Sequence, residues 1–145
     1  MGDFDYVPEI MKEIGVSILF KSIAVQPGRP TVFGVMGDKY IFGLPGNPVS
    51  SFVQFEMLVK PLILQIMGCS VAIPSLKLRM GKDFIRKKSE RKAFIPVVIT
   101  DGLVYPVSYH GSAHIHSYVF ANGIISIEIG VSEILEGELV DVRQV

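Results

Sequence analysis

Cysteine pairs, net charge and long uninterrupted apolar runs are the features that this 145-residue sequence lacks. The single cysteine, Cys69, excludes a disulfide framework, so we expect a reducing compartment. The 14 basic and 14 acidic residues balance, which leaves no overall field to attract nucleic acid or a membrane surface. Any anion-binding site must therefore be local.

The most apolar stretch does not have the pattern of a membrane span, which needs about 20 mostly uninterrupted apolar residues. It runs over residues 49–67 and is interrupted by Gln54, Glu56, Lys60, Pro61 and Gln65. The N-terminus is acidic and has no signal-peptide pattern. We expect a cytoplasmic protein that binds neither nucleic acid nor membrane, with 49% apolar residues to form its core.

The strongest local pattern predicts a short strand, a tight turn and a long helix. Lys39–Gly43 is rich in aromatic and β-branched residues, which favours a strand. Pro45 and Gly46 favour a type II turn with a positive φ at the glycine. Asn47 is then expected to be the N-cap of the helix, and Pro48 its first residue.

The helix that follows has apolar residues at helical spacing, which predicts the face that packs on the core. These residues are Phe52, Phe55, Leu58 or Val59, Leu62 and Ile66. Met57 and Met67 are expected in the core beside the phenylalanines. Pro61 removes one helical hydrogen bond and predicts an irregularity over 57–60.

A strand that enters a helix through such a turn directs backbone N–H groups and the positive end of the helix dipole at one spot. This geometry is typical of an anion site, to which the hydroxyls of Ser50 and Ser51 could contribute. The alternative is an ordinary capped helix in an α/β core.

The residues before this pattern predict one helix and two strands. Asp5 is expected to cap a helix over 7–14, which Gly15 ends. A rigid proline turn that carries Arg29 joins the two strands. The predicted strands are 16–25 and 31–36.

After Gly68 the pattern changes to short β-type runs separated by glycine-containing turns. The predicted strands are 75–80, 92–100, 103–108, 123–129 and 139–142. The basic run 82–92 is expected to be a solvated hairpin tip. We predict an α/β domain over residues 1–71 and a small all-β barrel or sandwich over 72–145.

Three motifs together carry a family resemblance: GLPGNPVS before the long helix, PGRP ahead of it, and GDFDYV near the N-terminus. The combination resembles the molybdopterin molybdenumtransferase family, the molybdenum-insertion enzymes of molybdenum cofactor biosynthesis, which are similar to the E domain of gephyrin. The resemblance implies the C-terminal half of a three-layer α/β/α molybdopterin-binding domain, followed by a small β barrel. Family members are longer and carry a glycine-rich S-S-G-G-V-S turn before the position of Gly2.

The resemblance implies a reaction, the insertion of molybdate into adenylylated molybdopterin with release of AMP. It also implies Mg²⁺ as cofactor and a homodimer as the assembly. Without the pterin-gripping turn, we expect the isolated chain to be a poor catalyst. The alternative is a non-catalytic fragment or binding module that self-associates through exposed apolar surface.

The resemblance further implies site residues, each with a structural alternative. Asp5 would be the catalytic carboxylate and a Mg²⁺ ligand, or else the helix cap. Lys21 and Arg29 would bind oxyanion or phosphate, or else be solvated, and Gln26 stands where many members have lysine. The other implied binding residues are Pro45, Gly46, Asn47, Pro48, Ser50, Arg91 and Ser112, with Ser117 as the alternative to Ser112.

The remaining candidates favour structural roles. His110, His114 and His116 have no cysteine or carboxylate at ligand spacing, so we expect polar turn residues rather than a metal site. Cys69 has no neighbouring base in the sequence and is expected to be a packing residue.

Overall fold

A computed structural model of the chain describes residues 6–69, 74–107 and 119–145. The elements of the first half are α1 (Val7–Glu13), β1 (Ser17–Phe20), β2 (Val25–Gln26), β3 (Val32–Met36), β4 (Lys39–Gly43) and α2 (Pro48–Ile66). The elements of the second half are β5 (Ser75–Met80), β6 (Phe84–Ile85), β7 (Lys92–Thr100), β8 (Leu103–Pro106), β9 (Gly123–Ile127), β10 (Glu133–Ile134) and β11 (Leu139–Gln144).

In the first half, an antiparallel sheet with strand order β1-β3-β4 packs against α1. Met11 of α1 is buried with Val16 and Val32. Gly15, with a φ of +88°, ends α1 as predicted. The helix begins at Val7 with Tyr6 in the N-cap position, and Asp5, the predicted cap, lies outside the described residues.

The long helix α2 contains a π-helical turn, Phe55–Val59, directly before Pro61. There the N–H of Lys60 bonds to the carbonyl of Phe55, five residues earlier. Because proline cannot donate to a carbonyl four residues before it, the preceding turn widens to accommodate the missing bond. The predicted irregularity is therefore present and is a π-turn.

The face that α2 buries is not the predicted one. Its buried residues are Val49, Ser50, Val53, Gln54 and Glu56. On the predicted face, Phe52 and Phe55 are 38% and 40% exposed, and Ile66 is 61% exposed. The helix is apolar on both sides, and two of its polar residues, Gln54 and Glu56, lie inward because Pro27 and Arg143 lie beside them there.

By length and composition alone α2 could cross a membrane, with 28% of its length buried against the protein. A helix that packs on a protein core along one side meets the same criterion. Beyond its end, Met67 is 71% exposed and Cys69 is exposed, so the prediction that both are packing residues is wrong.

The second half is a closed five-stranded barrel. Its strands follow the order β7-β8-β5-β11-β9, and β9 pairs again with β7 to close the ring. Val97, Val104, Ile125 and Val142 fill the interior and are fully buried. The prediction of a small barrel is confirmed, while the short pair β6–β10 has no counterpart among the predicted strands.

The two halves share one sheet and one core. β2 runs parallel to the start of β7, with Val25 opposite Lys92 and Gln26 opposite Ala93. Beside this pairing, Val53 of α2 packs with Phe94 of the barrel. The predicted division of the chain near residue 71 stays a prediction. Residues 25–26, which belong to the first half, add a strand to the sheet of the barrel.

The contact between α2 and the proline turn leaves no room for a side chain at Gly28. Gln54 is fully buried and its amide nitrogen donates to the carbonyl of Pro27 over 2.8 Å. A Cβ on Gly28 would lie 2.3 Å from that nitrogen, at a φ of +104° that other residues rarely adopt.

We expect Gly28→Ala to lower the free energy of unfolding by about 2 kcal/mol or more, because it combines overpacking with an unfavourable φ. Urea denaturation measures this loss. Gly46→Ala is the matched control, because a Cβ there meets no atom within 4 Å and the φ is not positive. Equal stability of the two variants would contradict the assigned contact.

Candidate functional site

The first turn of α2 is capped, and its first free backbone N–H groups already donate hydrogen bonds within the protein. The side-chain oxygen of Asn47 accepts from the N–H groups of Val49 (3.0 Å) and Ser50 (3.3 Å). Asn47 is extended, with φ −74° and ψ 120°. Gly46 has no positive φ, so the predicted type II turn is wrong: the chain bends into the helix through Asn47 instead.

The serines of the first turn also face inward. The Ser51 hydroxyl donates to the carbonyl of Pro45 and to that of Asn47, at 3.2 Å for the latter. Ser50 is 8% exposed. Backbone binding of an anion at this turn would require the Asn47 side chain to leave its two N–H groups, so the geometry favours the capped-helix alternative. Pro45, Gly46 and Pro48 would then act by shape.

The proline turn brings α2 and the barrel together. The Thr31 hydroxyl, fully buried, donates to the carbonyl of Gly28 over 2.7 Å and fixes the turn from inside. Arg29 and Lys21 have exposed side chains. Neither lines the clefts of the adjoining barrel.

Beside this turn lies a cleft of about 430 Å³, which we call the cationic cleft. Its lining is Gln26, Phe84, Arg86, Lys87, Lys88, Arg91, Ala93 and Ile95. A second cleft of about 390 Å³ adjoins it and shares Gln26, Phe84 and Ile95. The structure thus brings Arg91 together with Gln26 of the proline turn, across the junction of the two halves. None of the residues from Pro45 to Ser50 lines either cleft.

Arg91 has donors available in this cleft. The one hydrogen bond of its side chain among the described residues runs from Nη1 to the carbonyl of Val25 and is long, 3.5 Å. The strand pairing of Lys92 with Val25 fixes the backbone beside it. The guanidinium therefore lies at the junction of the two halves with most of its N–H groups able to bind a ligand.

Arg86 bonds to three backbone carbonyls, a role that the sequence did not predict. Its three nitrogens donate to the carbonyls of Val131 (2.6 Å), Arg91 (2.8 Å) and Glu128 (2.6 Å). Lys92 pairs with the Glu128 carboxylate over 2.6 Å. The basic run is therefore tied to the loop 128–131, and the prediction of a solvated hairpin tip is wrong for Arg86 and Lys92.

A second ionic contact joins α2 to the barrel away from the clefts. Glu56, 7% exposed, accepts from Lys60 over 2.8 Å and lies 4.0 Å from Nη2 of Arg143. Burial lowers the pKa of the Arg143 guanidinium, and the Glu56 charge opposes this effect. Arg143 also donates to the Met57 sulfur over 3.7 Å. Both α2 partners lie in its π-turn, which sets their orientation toward the barrel.

Several candidates lie outside the described residues, namely Asp5, His110, Ser112, His114, His116 and Ser117. Within the described ranges, no group of three or more His, Cys, Asp or Glu side chains could hold a metal ion. The described carboxylates therefore do not fit a Mg²⁺ site, and Asp5 as its ligand stays a prediction.

Comparisons with known proteins cover both halves. The family described as a probable molybdopterin binding domain matches residues 1–65, and the one described as the MoeA C-terminal region (domain IV) matches residues 77–145. Two curated relatives, each named molybdopterin molybdenumtransferase, come from Staphylococcus epidermidis and Staphylococcus aureus. They are 34% and 32% identical to this chain over 98% of its length, which is 35% of theirs.

A solved structure extends the likeness to three dimensions. The crystal structure of a molybdopterin biosynthesis MoeA protein from Pyrococcus horikoshii superposes with a TM-score of 0.85 at 34% identity. The match covers 97% of this chain and 34% of that one.

An α/β segment that matches the probable molybdopterin binding domain family, joined to a barrel that matches the MoeA C-terminal region, is the domain combination that this chain shares with its relatives. The chain therefore belongs to the MoeA family and corresponds to its C-terminal portion. The family and the fold class implied by the sequence are confirmed.

We expect Arg86→Ala to lower the free energy of unfolding by about 2 kcal/mol, because three carbonyls lose a charged donor. Arg86→Lys should recover only part of this loss, since one ammonium cannot reproduce the planar fork. Arg79→Ala serves as the control, because Arg79 is exposed and donates to one carbonyl, that of Gly137. Thermal or urea unfolding measures the stability of all three variants. If Arg86→Ala lowers the free energy of unfolding no more than Arg79→Ala does, the stabilising role of the three Arg86 hydrogen bonds is contradicted.

Proposed function

We propose that this chain provides the molybdate-binding part of a molybdenum-insertion reaction. In that reaction, molybdate is attached to the dithiolene of adenylylated molybdopterin and AMP is released. The observation that carries the proposal is the cationic cleft, where Arg91 of the barrel and Gln26 of the proline turn line the same space.

The chemistry of the cleft suits a tetrahedral oxyanion. A guanidinium donates two parallel hydrogen bonds to such an anion, and the Gln26 amide adds a neutral donor. The described lining has four cationic side chains and no carboxylate. In a protein of zero formal net charge, this concentrates positive potential at one place.

The volume leaves room for more than molybdate. About 430 Å³ exceeds what one small oxyanion fills, so part of the organic substrate would enter beside it. Arg29, exposed on the same turn as Gln26, would add a further cation from outside the lining. Lys21 is exposed further back along the chain and would contribute at longer range.

The chain spans about a third of the length of the curated relatives it matches. Asp5 and Ser112, which lie outside the described residues, would complete the site, and Asp5 would hold Mg²⁺. The proposed setting is a homodimer in the cytoplasm.

A second candidate, a non-catalytic module that self-associates, has one observation in its favour. The outer side of α2 exposes a row of apolar side chains, comprising Phe52, Phe55, Ile63 and Ile66. An exposed apolar strip of this kind favours contact with another protein surface.

For the main proposal, we expect saturable micromolar binding of molybdate and tungstate by the purified chain in titration calorimetry. Removing both cations in Arg29→Ala/Arg91→Ala should weaken this binding by at least about tenfold, the loss of roughly 1.4 kcal/mol. The control Lys39→Ala/Lys77→Ala removes the same charge from exposed strand positions away from the cleft. Equal weakening in both variants would reduce the effect to net charge and contradict the assigned site.

For the second candidate, we expect concentration-dependent dimers in analytical ultracentrifugation that Ile63→Glu/Ile66→Glu abolishes. Placing two carboxylates in an apolar contact costs their hydration and adds repulsion. The control Ile85→Glu/Leu139→Glu adds the same charge at exposed positions of the second half. A chain that stays monomeric at every concentration would contradict the self-associating module.

A further inference from the structure

Gln54 does not line the cationic cleft, but its buried amide bonds to Pro27, the residue that follows Gln26 in the chain. We propose that Gln54 is a positioning residue of this cleft. Acting through the carbonyl of Pro27, it holds Gln26 beside the barrel, where Gln26 and Arg91 line the same space. The inference rests on the proposed function in one respect, since that function makes the Gln26 amide an oxyanion donor.

On the barrel side, the segment that leads into the proline turn forms only a short pairing. Residues 25–26 are a strand of two residues beside β7. At its start, the N–H of Lys92 donates to the carbonyl of Ala24 over 3.1 Å. A strand this short has little resistance of its own to local opening. Its position therefore depends on what holds the turn from the other side.

On the side of α2, the amide of Gln54 holds the turn. Its side chain is fully buried, and its nitrogen donates to the carbonyl of Pro27 over 2.8 Å. The same side chain fills the space beside Gly28, where a Cβ would lie 2.6 Å from the Gln54 Cγ. Among the described residues, the amide oxygen of Gln54 accepts no hydrogen bond. The bond to Pro27 is therefore the polar contact through which Gln54 acts on the turn.

A buried amide at this place costs more than an apolar side chain of the same length. Its oxygen loses hydration without gaining a partner among the described residues, and its nitrogen gains one hydrogen bond of modest net value. A methionine would fill the same space at a smaller desolvation cost. The amide thus contributes the placement of the Pro27 carbonyl, and with it that of Gln26, more than it contributes stability.

A second polar contact between α2 and the barrel provides a matched control. Arg143 of β11 lies 4.0 Å from the Glu56 carboxylate, donates to the Met57 sulfur and lines neither cleft. Arg143→Met loosens the same junction without removing the bond to Pro27. The Glu56 carboxylate keeps Lys60 as its partner in that variant.

The test is a double-mutant cycle of Gln54→Met and Gln26→Ala, with molybdate binding measured by titration calorimetry. We expect each single variant to weaken binding about fivefold, the loss of one neutral hydrogen bond. The double variant should bind no more weakly than Gln26→Ala alone, because Gln54 acts through Gln26. Arg143→Met should bind within about twofold of the unsubstituted chain, because it lies away from the cleft.

Amide hydrogen exchange gives a second readout that does not need molybdate. In Gln54→Met, we expect the N–H of Lys92 to exchange at least about tenfold faster, because the strand 25–26 opens more often. The amides of the β7–β9 ladder should keep their exchange rates. A general loss of stability would instead raise the exchange rates of both sets.

The outcomes separate this inference from the proposed function. Additive losses in the cycle, or equal weakening of molybdate binding by Arg143→Met, overturn the positioning role. Unchanged exchange at Lys92 in Gln54→Met overturns it as well. If the unsubstituted chain binds no molybdate but Lys92 exchanges faster in Gln54→Met, the proposed function fails and the positioning of the cleft stands. Thermal unfolding shows that each variant is folded, as expected for substitutions that keep side-chain volume or lie at the surface.

Discussion

The buried amide of Gln54 is the contact on which the arrangement of the two halves depends. It lies on the inner face of α2, donates to the carbonyl of Pro27 and fills the space that Gly28 leaves open. This contact holds the proline turn beside the barrel, where residues 25–26 pair with β7. Since Gln26 belongs to this pairing and lines the cationic cleft, the geometry of the cleft follows from a contact made inside the protein.

The basic side chains at the junction are of two kinds: some are bonded within the protein and stabilise it, and others have donors available for a ligand. Arg86 and Lys92 are bonded to the loop 128–131, and Arg143 lies near Glu56. Arg91, Lys87 and Lys88 are the cations of the junction whose donors are mostly unused among the described residues. A chain with zero formal net charge can thus present a local anion site, because its bonded cations and its free ones occupy different positions.

The sequence predicted strands well and long-range polar contacts poorly. The bounds of β4, β5 and β7 follow from local alternation and turn residues, and the structure has them as predicted. The buried face of α2 did not follow from its pattern, since apolar residues lie on both sides. What decides it are partners far along the chain: Pro27 for Gln54, and Arg143 for Glu56. For the same reason the sequence indicated Arg91 through a resemblance, but could not indicate the three carbonyls that Arg86 holds.

The most direct test of the account is the position of a heavy oxyanion in crystals of the chain grown with tungstate, located by anomalous scattering. We expect a tungsten peak in the cationic cleft, within hydrogen-bonding reach of the Arg91 guanidinium and the Gln26 amide. A peak at the first turn of α2, with Asn47 displaced from the N–H groups of Val49 and Ser50, would contradict it. So would well-ordered crystals saturated with tungstate that show no peak between the proline turn and the barrel.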